Sequence, residues 1–451
     1  MKEPSYDVVI IGAGAAGLSA ARDLARADHS VLLLEARDRL GGRIWTRHEI
    51  DAAIPIEMGA EFIHGESPPT HALLNEAGQT SVEIHGSHWT LLNGQLQRRG
   101  EDLFEQVQSA LRPTEAPGQP DLPFLEFLNG SGLSPEARKL ALQFVQGFDA
   151  ADPARVSTQS IAQEWASGGM LDAPQSRPLE GYHAVLTALA GRLDRKVVHL
   201  QLHSVAQSIR WQRGAAEIDC LFLDRPFRVT APKVIITVPI GVLQAPAGSA
   251  GAIAFDPPLE EKRQALMGVV SGPVLKVVLR FRTAFWEELD GGRYRDASFF
   301  YSLETLFPTF WTTMPVRSPI LNAWVGGPPA ALLCGKPDAE IVRAALESVR
   351  RMFGPSLDAA RTQLEAAYLH NWEHDPFSRG AYSYVTAGHN NSARRDLAAS
   401  VADTLFFAGE ATDTEGEAAT VTGALQSGAR AAREVQESLA RMGRSPRGRK
   451  S

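Results

Sequence analysis

The chain lacks the features that mark several large protein classes. Its 451 residues include two cysteines, Cys220 and Cys334. That is too few for a disulfide framework or a thiolate metal site, so a reducing compartment is compatible and no metal is expected. No apolar run reaches the roughly 20 residues of a membrane span. A basic excess is also missing: the net charge is −7, which argues against a nucleic-acid-binding face. Only Met1 to Ser5 stand before the first strand-like run, without the apolar stretch of a secretory leader. These absences lead to the expectation of a soluble, cytoplasmic protein, with neither nucleic acid nor membrane as partner and with its oligomeric state left open. The one marked charge asymmetry is terminal. Residues 441–451 carry five cations and no acid, and are expected to form a disordered tail.

What the chain does have is concentrated near its start. A β run, Asp7 to Ile11, leads into Gly12, Gly14 and Gly17. A segment with helical spacing follows (Leu18, Ala21, Leu24, Ala25), then a second β run, Ser30 to Leu34, that ends in Glu35. Strand, glycine turn, helix, strand and acid form a dinucleotide-binding βαβ unit. Gly12 permits the tight turn, Gly14 lets the backbone approach a pyrophosphate, and Gly17 lets the helix pack close to the strand. The helix start turns unpaired N–H groups toward the diphosphate. Glu35 is placed to accept a hydrogen bond from a ribose hydroxyl.

The residues after Glu35 narrow the cofactor. Ala36-Arg37 and then Leu40-Gly41-Gly42-Arg43 resemble the extended fingerprint of FAD-containing oxidoreductases, in which the glycine pair and its arginine touch the flavin diphosphate. Ala16 falls in the same set of contacts. Met58-Gly59-Ala60-Glu61, followed by Phe62-Ile63-His64-Gly65, resembles the flavin-lining segment of the flavin-containing amine oxidases. The Ile-His-Gly ending is most similar to polyamine oxidases and the related histone-lysine demethylases. His203-Ser204-Val205 resembles the segment whose valine backbone holds the adenine, and Thr237-Val238-Pro239 the strand end that closes the cofactor domain. Further on, Trp372 with Gly380-Ala381-Tyr382, Gly409-Glu410, and Thr420-Val421 resemble the C-terminal signature of the same family.

The resemblance implies an α/β fold: a Rossmann-type FAD-binding domain with an interleaved α+β substrate-binding domain, in the two-domain manner of amine oxidases and glutathione reductase. The expected partition is 1–85, 195–255 and 380–440 for FAD, and 86–194 and 256–379 for substrate. A helix is expected over Pro257 to Val269 and one strand over Ser271 to Phe281. In that strand Lys276 shares a face with Val274 and Val278. Such a lysine ordinarily faces solvent, but the resemblance makes it the lysine that holds a water against flavin N5.

Tyr382 matches one wall of an aromatic cage, which orients an amine by shape and electron-rich faces. Trp372 is expected to contact FAD and to remain in the cage. Thr420 stands where mitochondrial monoamine oxidases carry the second cage tyrosine, and the small residue implies a wider channel. His64 is expected beside the amine, and Glu410 at the ribitol-diphosphate region. Ala381 replaces the cysteine that links FAD covalently in those monoamine oxidases, so FAD is expected to be non-covalent. The implied reaction passes a hydride from the carbon beside a neutral amine nitrogen to flavin N5. The imine then hydrolyses, and O2 becomes H2O2. A polyamine-type substrate is favoured. Rival readings are a monoamine oxidase on aryl or alkyl amines, an L-amino acid oxidase, and a non-catalytic flavoprotein scaffold. A histone demethylase fits poorly, because no insertion is long enough for a coiled-coil arm.

Overall fold

The computed structural model describes residues 6–98, 102–115, 119–166, 174–354, 362–389 and 392–443. Five short strands form its parallel sheet: β1 (Val8–Ile11), β2 (Val31–Leu34), β3 (Val198–Gln201), β4 (Lys233–Ile236) and β5 (Leu405–Phe407), in the spatial order β3-β2-β1-β4-β5. All four residues of β1, and all four of β2, are buried. Runs without polar alternation need cover on both faces of a sheet. One cover is helical. Helix α1 (Ala15–Arg26) joins β1 to β2, and packs in one core with α2 (His183–Gly191) and α3 (Val421–Gly443). The other cover is a second sheet made of 225–231, 215–222, 204–212 and 254–256. Its Ile209 and Ile218 meet Val9, Ile11, Leu32 and Leu34 from beneath.

Close backbone contacts set this geometry. A Cβ on Gly17 would stand 1.9 Å from the Gly12 carbonyl oxygen, and one on Gly428 would stand 2.2 Å from that of Ala16. The two glycines let α1 settle on the end of β1 and α3 settle on α1. Helix α2 packs on the parallel-sheet side. It falls within 86–194, assigned above to the substrate-binding part, yet Val185, Leu186 and Leu189 bury against the α1 side of the parallel sheet.

The second large sheet has seven strands, in the order 364–369, 274–281, 320–326, 309–311, 297–302, 87–92 and 95–98. Helix 338–353 covers it with Ile341, Ala345, Val349 and Met352, one face of a helix at 3.6-residue spacing. The 87–98 hairpin turns through Asn93 and Gly94, both at positive φ, as a two-residue hairpin turn requires. Helices 124–130, 135–147 and 158–166 bury a separate cluster around Phe124, Val145 and Trp165.

Two expected elements differ. The helix expected over 257–269 is a 3-10 turn at 260–262 followed by a helix at 263–268; Pro257 and Pro258 hold the start extended. The strand expected over 271–281 is two strands. Pro273 lacks an N–H and interrupts the ladder. Val269–Gly272 pairs with Tyr382–Val385, while Val274–Phe281 enters the seven-stranded sheet. The expected disordered tail lies outside the described residues from 444 on, whereas Arg441 is still helical and pairs with Asp403 at 3.1 Å. Among the described residues no helix is long and apolar enough to cross a membrane.

The close packing of α3 on α1 is testable. Gly428→Ala forces a methyl against fixed backbone and should cost about 1–3 kcal/mol. A thermal melt should show a lower midpoint than the parent, and an unchanged midpoint would refute the contact.

Candidate active site

A cavity of about 1620 Å³ runs between the parallel sheet and the seven-stranded sheet. Every residue that the sequence assigned to cofactor or substrate lines it, except Gly17, which lies behind the glycine turn. Its cofactor end is made of backbone. Gly12 turns at φ +105°, and a Cβ there would meet Thr237 Oγ1 at 2.6 Å. No side chain caps the start of α1, so its first N–H groups remain for an anion. Glu35 is buried at the end of β2. It accepts hydrogen bonds from the Ala13 N–H at 2.8 Å and the Arg37 N–H at 3.0 Å. Much of its role is therefore to fasten the glycine turn, with lone pairs left over for a ribose. Arg37 is drawn to Asp375 at 2.8 Å, and Val205 and Pro239 complete this end.

In the middle, Arg43 Nη1 donates to Glu410 Oε1 at 2.9 Å and to the Ala381 carbonyl at 2.6 Å. Burial pushes the Glu410 carboxyl up, but Arg43, Arg394 and the Ser383 hydroxyl outweigh it and hold the group below the usual carboxylate range. Thr420 is the N-cap of α3: its hydroxyl accepts from Gly423 N–H at 3.0 Å and donates to the Glu417 carbonyl at 2.7 Å. This fixes the mouth of α3, with Val421, against the cavity. Cys220 and Cys334 lie in the two sheet cores, away from the lining, and burial pushes their thiols to about 12 and about 11. Glycine-lined backbone, an uncapped helix start and a half-buried arginine on a buried glutamate fit a dinucleotide such as FAD, with no thiol at hand to bond it.

The reactive end draws on both sheets. Lys276 is buried on 274–281, and Nζ donates to the Gly59 carbonyl at 2.8 Å and to Glu61 Oε2 at 3.2 Å. Its register partner on the next strand is Trp324. The Trp324 ring lies nearly parallel to that of Tyr382, at 16° with centroids 6.5 Å apart. Tyr382 Oη donates to the Phe148 carbonyl, and Trp324 Nε1 donates to the Gly147 carbonyl at 2.6 Å. Burial, with the charges of Asp149, Glu164 and Glu410, pushes the Tyr382 phenol well up, so it stays neutral.

Trp372 serves a different wall. Its Nε1 donates to the Met58 carbonyl at 3.2 Å, and its ring packs on Gly59 and edge-on to His370. The ring beside Tyr382 is thus Trp324, which sequence reasoning missed. Only the strand register, with Trp324 opposite Lys276, points to it. Arg177 and Trp311, which hold Glu61, were missed for the same reason.

His64, on the short strand 63–64, faces the cavity with its ring edge-on to Phe148 at 5.6 Å. Its Nδ1 has no hydrogen-bond partner among the described residues. Burial lowers its pKa to about 4, so the ring is neutral at ordinary pH. As pH falls from 6.5 to about 4, the unfolded chain binds this proton and the folded chain does not, so stability is lost through that window. His64→Gln should therefore lose less stability than the parent between pH 6.5 and 4. Equal losses in denaturant titrations would rule out a buried neutral ring.

The flavin containing amine oxidoreductase family matches this chain over residues 15–436. Lysine-specific histone demethylase 2 of Homo sapiens is 28% identical, over 95% of this chain and 53% of that protein. This chain thus spans about half the length of that relative. Probable polyamine oxidase 4 of Arabidopsis thaliana is 27% identical, over 90% of this chain and 82% of the relative. Among solved structures, wild-type putrescine oxidase bound to putrescine superimposes with a TM-score of 0.80 at 23% identity, covering 96% of this chain and 99% of that chain. Cyclohexylamine oxidase from Brevibacterium oxydans IH-35A gives 0.80 at 21% identity, covering 97% and 100%. These structures share the two-domain α/β architecture. With the family match running from the start of α1 almost to the end of α3, this chain belongs to the flavin containing amine oxidoreductases.

Proposed function

We propose that this flavin-dependent amine oxidase acts on amines that carry a second positive charge, of the diamine or polyamine type. The observation that carries this reading is a pair of carboxyls, buried Asp149 and half-buried Glu164, beside the Tyr382 wall. Asp149 and Glu164 both raise the Tyr382 pKa, and Glu164 lines the cavity. Burial pushes both carboxyls up, and the charge of Glu164 pushes Asp149 further. Two such groups resist ionising together, and a carboxylate facing an aromatic-walled cavity favours a distal ammonium. Relatives named as polyamine oxidases support the same class.

When bound, FAD supplies the acceptor for a hydride from the carbon beside nitrogen and passes the electrons to O2, giving H2O2. Tyr382 and Trp324 hold the amine between the cavity walls. His64, neutral and with Nδ1 open, accepts a hydrogen bond from the amine N–H and takes no charge of its own. An ammonium has three donors. Lys276 uses two of them on Gly59 and Glu61, and directs the third to a water at the cofactor. The imine left by oxidation hydrolyses to a carbonyl compound and a smaller amine or ammonia.

An L-amino acid oxidase reading finds less support. Arg177 is the arginine nearest Glu61, yet it is not among the residues that line the cavity, and its Nη2 is bonded to that carboxylate at 3.1 Å and to the Thr312 carbonyl at 3.3 Å.

Mixing the FAD-loaded enzyme anaerobically with single amines, and following flavin bleaching, tests the class. Putrescine, spermidine, spermine and N-acetylspermine should bleach it faster than benzylamine, tyramine or leucine. Glu164→Gln should raise KM for the polyamines about tenfold and leave benzylamine nearly unchanged, since a charged hydrogen bond contributes roughly 1.5–3 kcal/mol. Bleaching by aryl amines alone would defeat the polyamine reading. Lys276→Met should retain FAD but slow reduction or reoxidation; unchanged turnover would remove Lys276 from its proposed role.

A further inference from the structure

Glu61 was expected to touch the cofactor, but its carboxylate is engaged elsewhere. Oε1 accepts from Trp311 Nε1 at 2.9 Å and from Arg177 Nη2 at 3.1 Å, and Oε2 accepts from Lys276 Nζ at 3.2 Å. All three ionic side chains are less than one-tenth exposed. We propose that Glu61 is a positioning residue: it holds the Lys276 ammonium aimed at the cofactor, and ties it through Trp311 to the substrate wall. This rests on the reading that Lys276 serves the flavin.

The surrounding geometry makes Glu61 the hinge of the arrangement. The segment that carries it is pinned at each step: Met58 N–H donates to the Trp45 carbonyl, the Met58 carbonyl accepts from Trp372, the Gly59 carbonyl accepts from Lys276, and Ala60 N–H donates to the Arg43 carbonyl. With its backbone fixed, the carboxylate has little freedom and sets the position of the ammonium. On its other side, Trp311 stands 5.7 Å from Trp324 and 5.5 Å from Phe62, ring to ring. Trp324 in turn faces Tyr382. One carboxylate therefore touches both the lysine and the aromatic wall that an amine would press against.

Charge explains why a carboxylate is needed. Lys276, on 274–281, and Arg177, on 175–178, are two buried cations that both bond to Glu61. Glu61 is the anion bonded to both, and Glu57 is the other carboxyl whose charge acts on them. Two of the three Arg177 nitrogens, Nε and Nη1, have no partner among the described residues, so its charge is met chiefly through Glu61. Without that anion two buried like charges are left facing each other with no bonded counter-charge between them.

The test compares FAD-loaded Glu61→Gln, Glu61→Asp and Lys276→Met. Glu61→Gln keeps an acceptor but removes the charge. It should slow anaerobic bleaching by a fixed amine on the order of tenfold, as loss of an outer-shell partner does at other cofactor sites. It should also move the pH profile of bleaching to lower pH and shift the flavin midpoint potential. Glu61→Asp restores the charge and should return the pH profile toward that of the parent. If Glu61→Gln fails to hold FAD, Trp311→Phe, which removes one donor and keeps an aromatic wall, replaces it and should shift the profile in the opposite sense, as an unshared carboxylate pairs more strongly with the lysine. A slowed Lys276→Met beside a Glu61→Gln (or its replacement) with the parent rate, profile and potential overturns the inference. A Lys276→Met that behaves as the parent instead overturns the reading on which it rests.

Discussion

The reactive end of the cavity depends on how closely residues 146–151, the end of helix 135–147 and the turn after it, are pressed into the seam between two sheets. Gly272 and Gly326 make the seam. A Cβ on Gly272 would stand 2.3 Å from the Ala150 carbonyl oxygen, and one on Gly326 would stand 2.4 Å from that of Gln146. No other residue admits this segment without moving backbone. Once seated, the segment offers two carbonyls to the cavity walls. Gly147 takes the Trp324 indole and Phe148 takes the Tyr382 phenol. Both aromatic rings are thereby oriented by main chain rather than by flexible side chains. Pro273 completes the seam by ending one strand and starting the next, so Gly272 pairs with Tyr382 while Lys276 pairs with Trp324.

The same part of the molecule buries an unusual number of charges. Isolated buried ions are costly, and paired ones are seldom a source of net stability. Here they occur in bonded groups. Glu410 is shared among Arg43, Arg394 and Ser383, and Glu61 among Lys276, Arg177 and Trp311. Glu57, which burial raises to about 7, is held by the Tyr182 N–H and the Thr46 hydroxyl. Each group joins segments distant in sequence at the cavity edge. Glu410 ties the glycine pair before Arg43 to the Tyr382 strand, and Glu57 ties 56–57 to the start of α2. Their contribution is placement: they fix where backbone from both sheets meets the ligand.

The cofactor half was legible in the sequence because its determinants are local. The turn at Gly12, the close approach at Gly17, the acid at Glu35 and the Gly41–Arg43 turn lie within 32 residues of one another, and each meets a backbone demand that few residue types satisfy. Lys276 was legible only through resemblance, since alternation alone would send it to solvent. Trp324, Trp311 and Arg177 were not legible. Their roles come from cross-strand register and from a short sheet that joins 63–64 to 175–178, and neither leaves a local pattern. The strand break at Pro273 was readable in principle. The apolar run that continues beyond the proline masks it.

Trp372 and Thr420 show how a matching residue can carry a different share of the work. The Trp372 indole is spent on the Met58 carbonyl, and its ring supports Gly59, so it stiffens the segment that presents the Lys276 acceptor. Thr420 is small where a cage ring would narrow the channel, and its hydroxyl is occupied in capping α3. Replacing it by a large aromatic residue would remove a cap as well as fill space, so the open side of the cage and the start of α3 are one feature. The openness of the cavity beside Thr420 and the start of α3 have one cause: a short hydroxyl side chain is among the residues best able to cap a helix there, and a short side chain fills little of the cavity it lines.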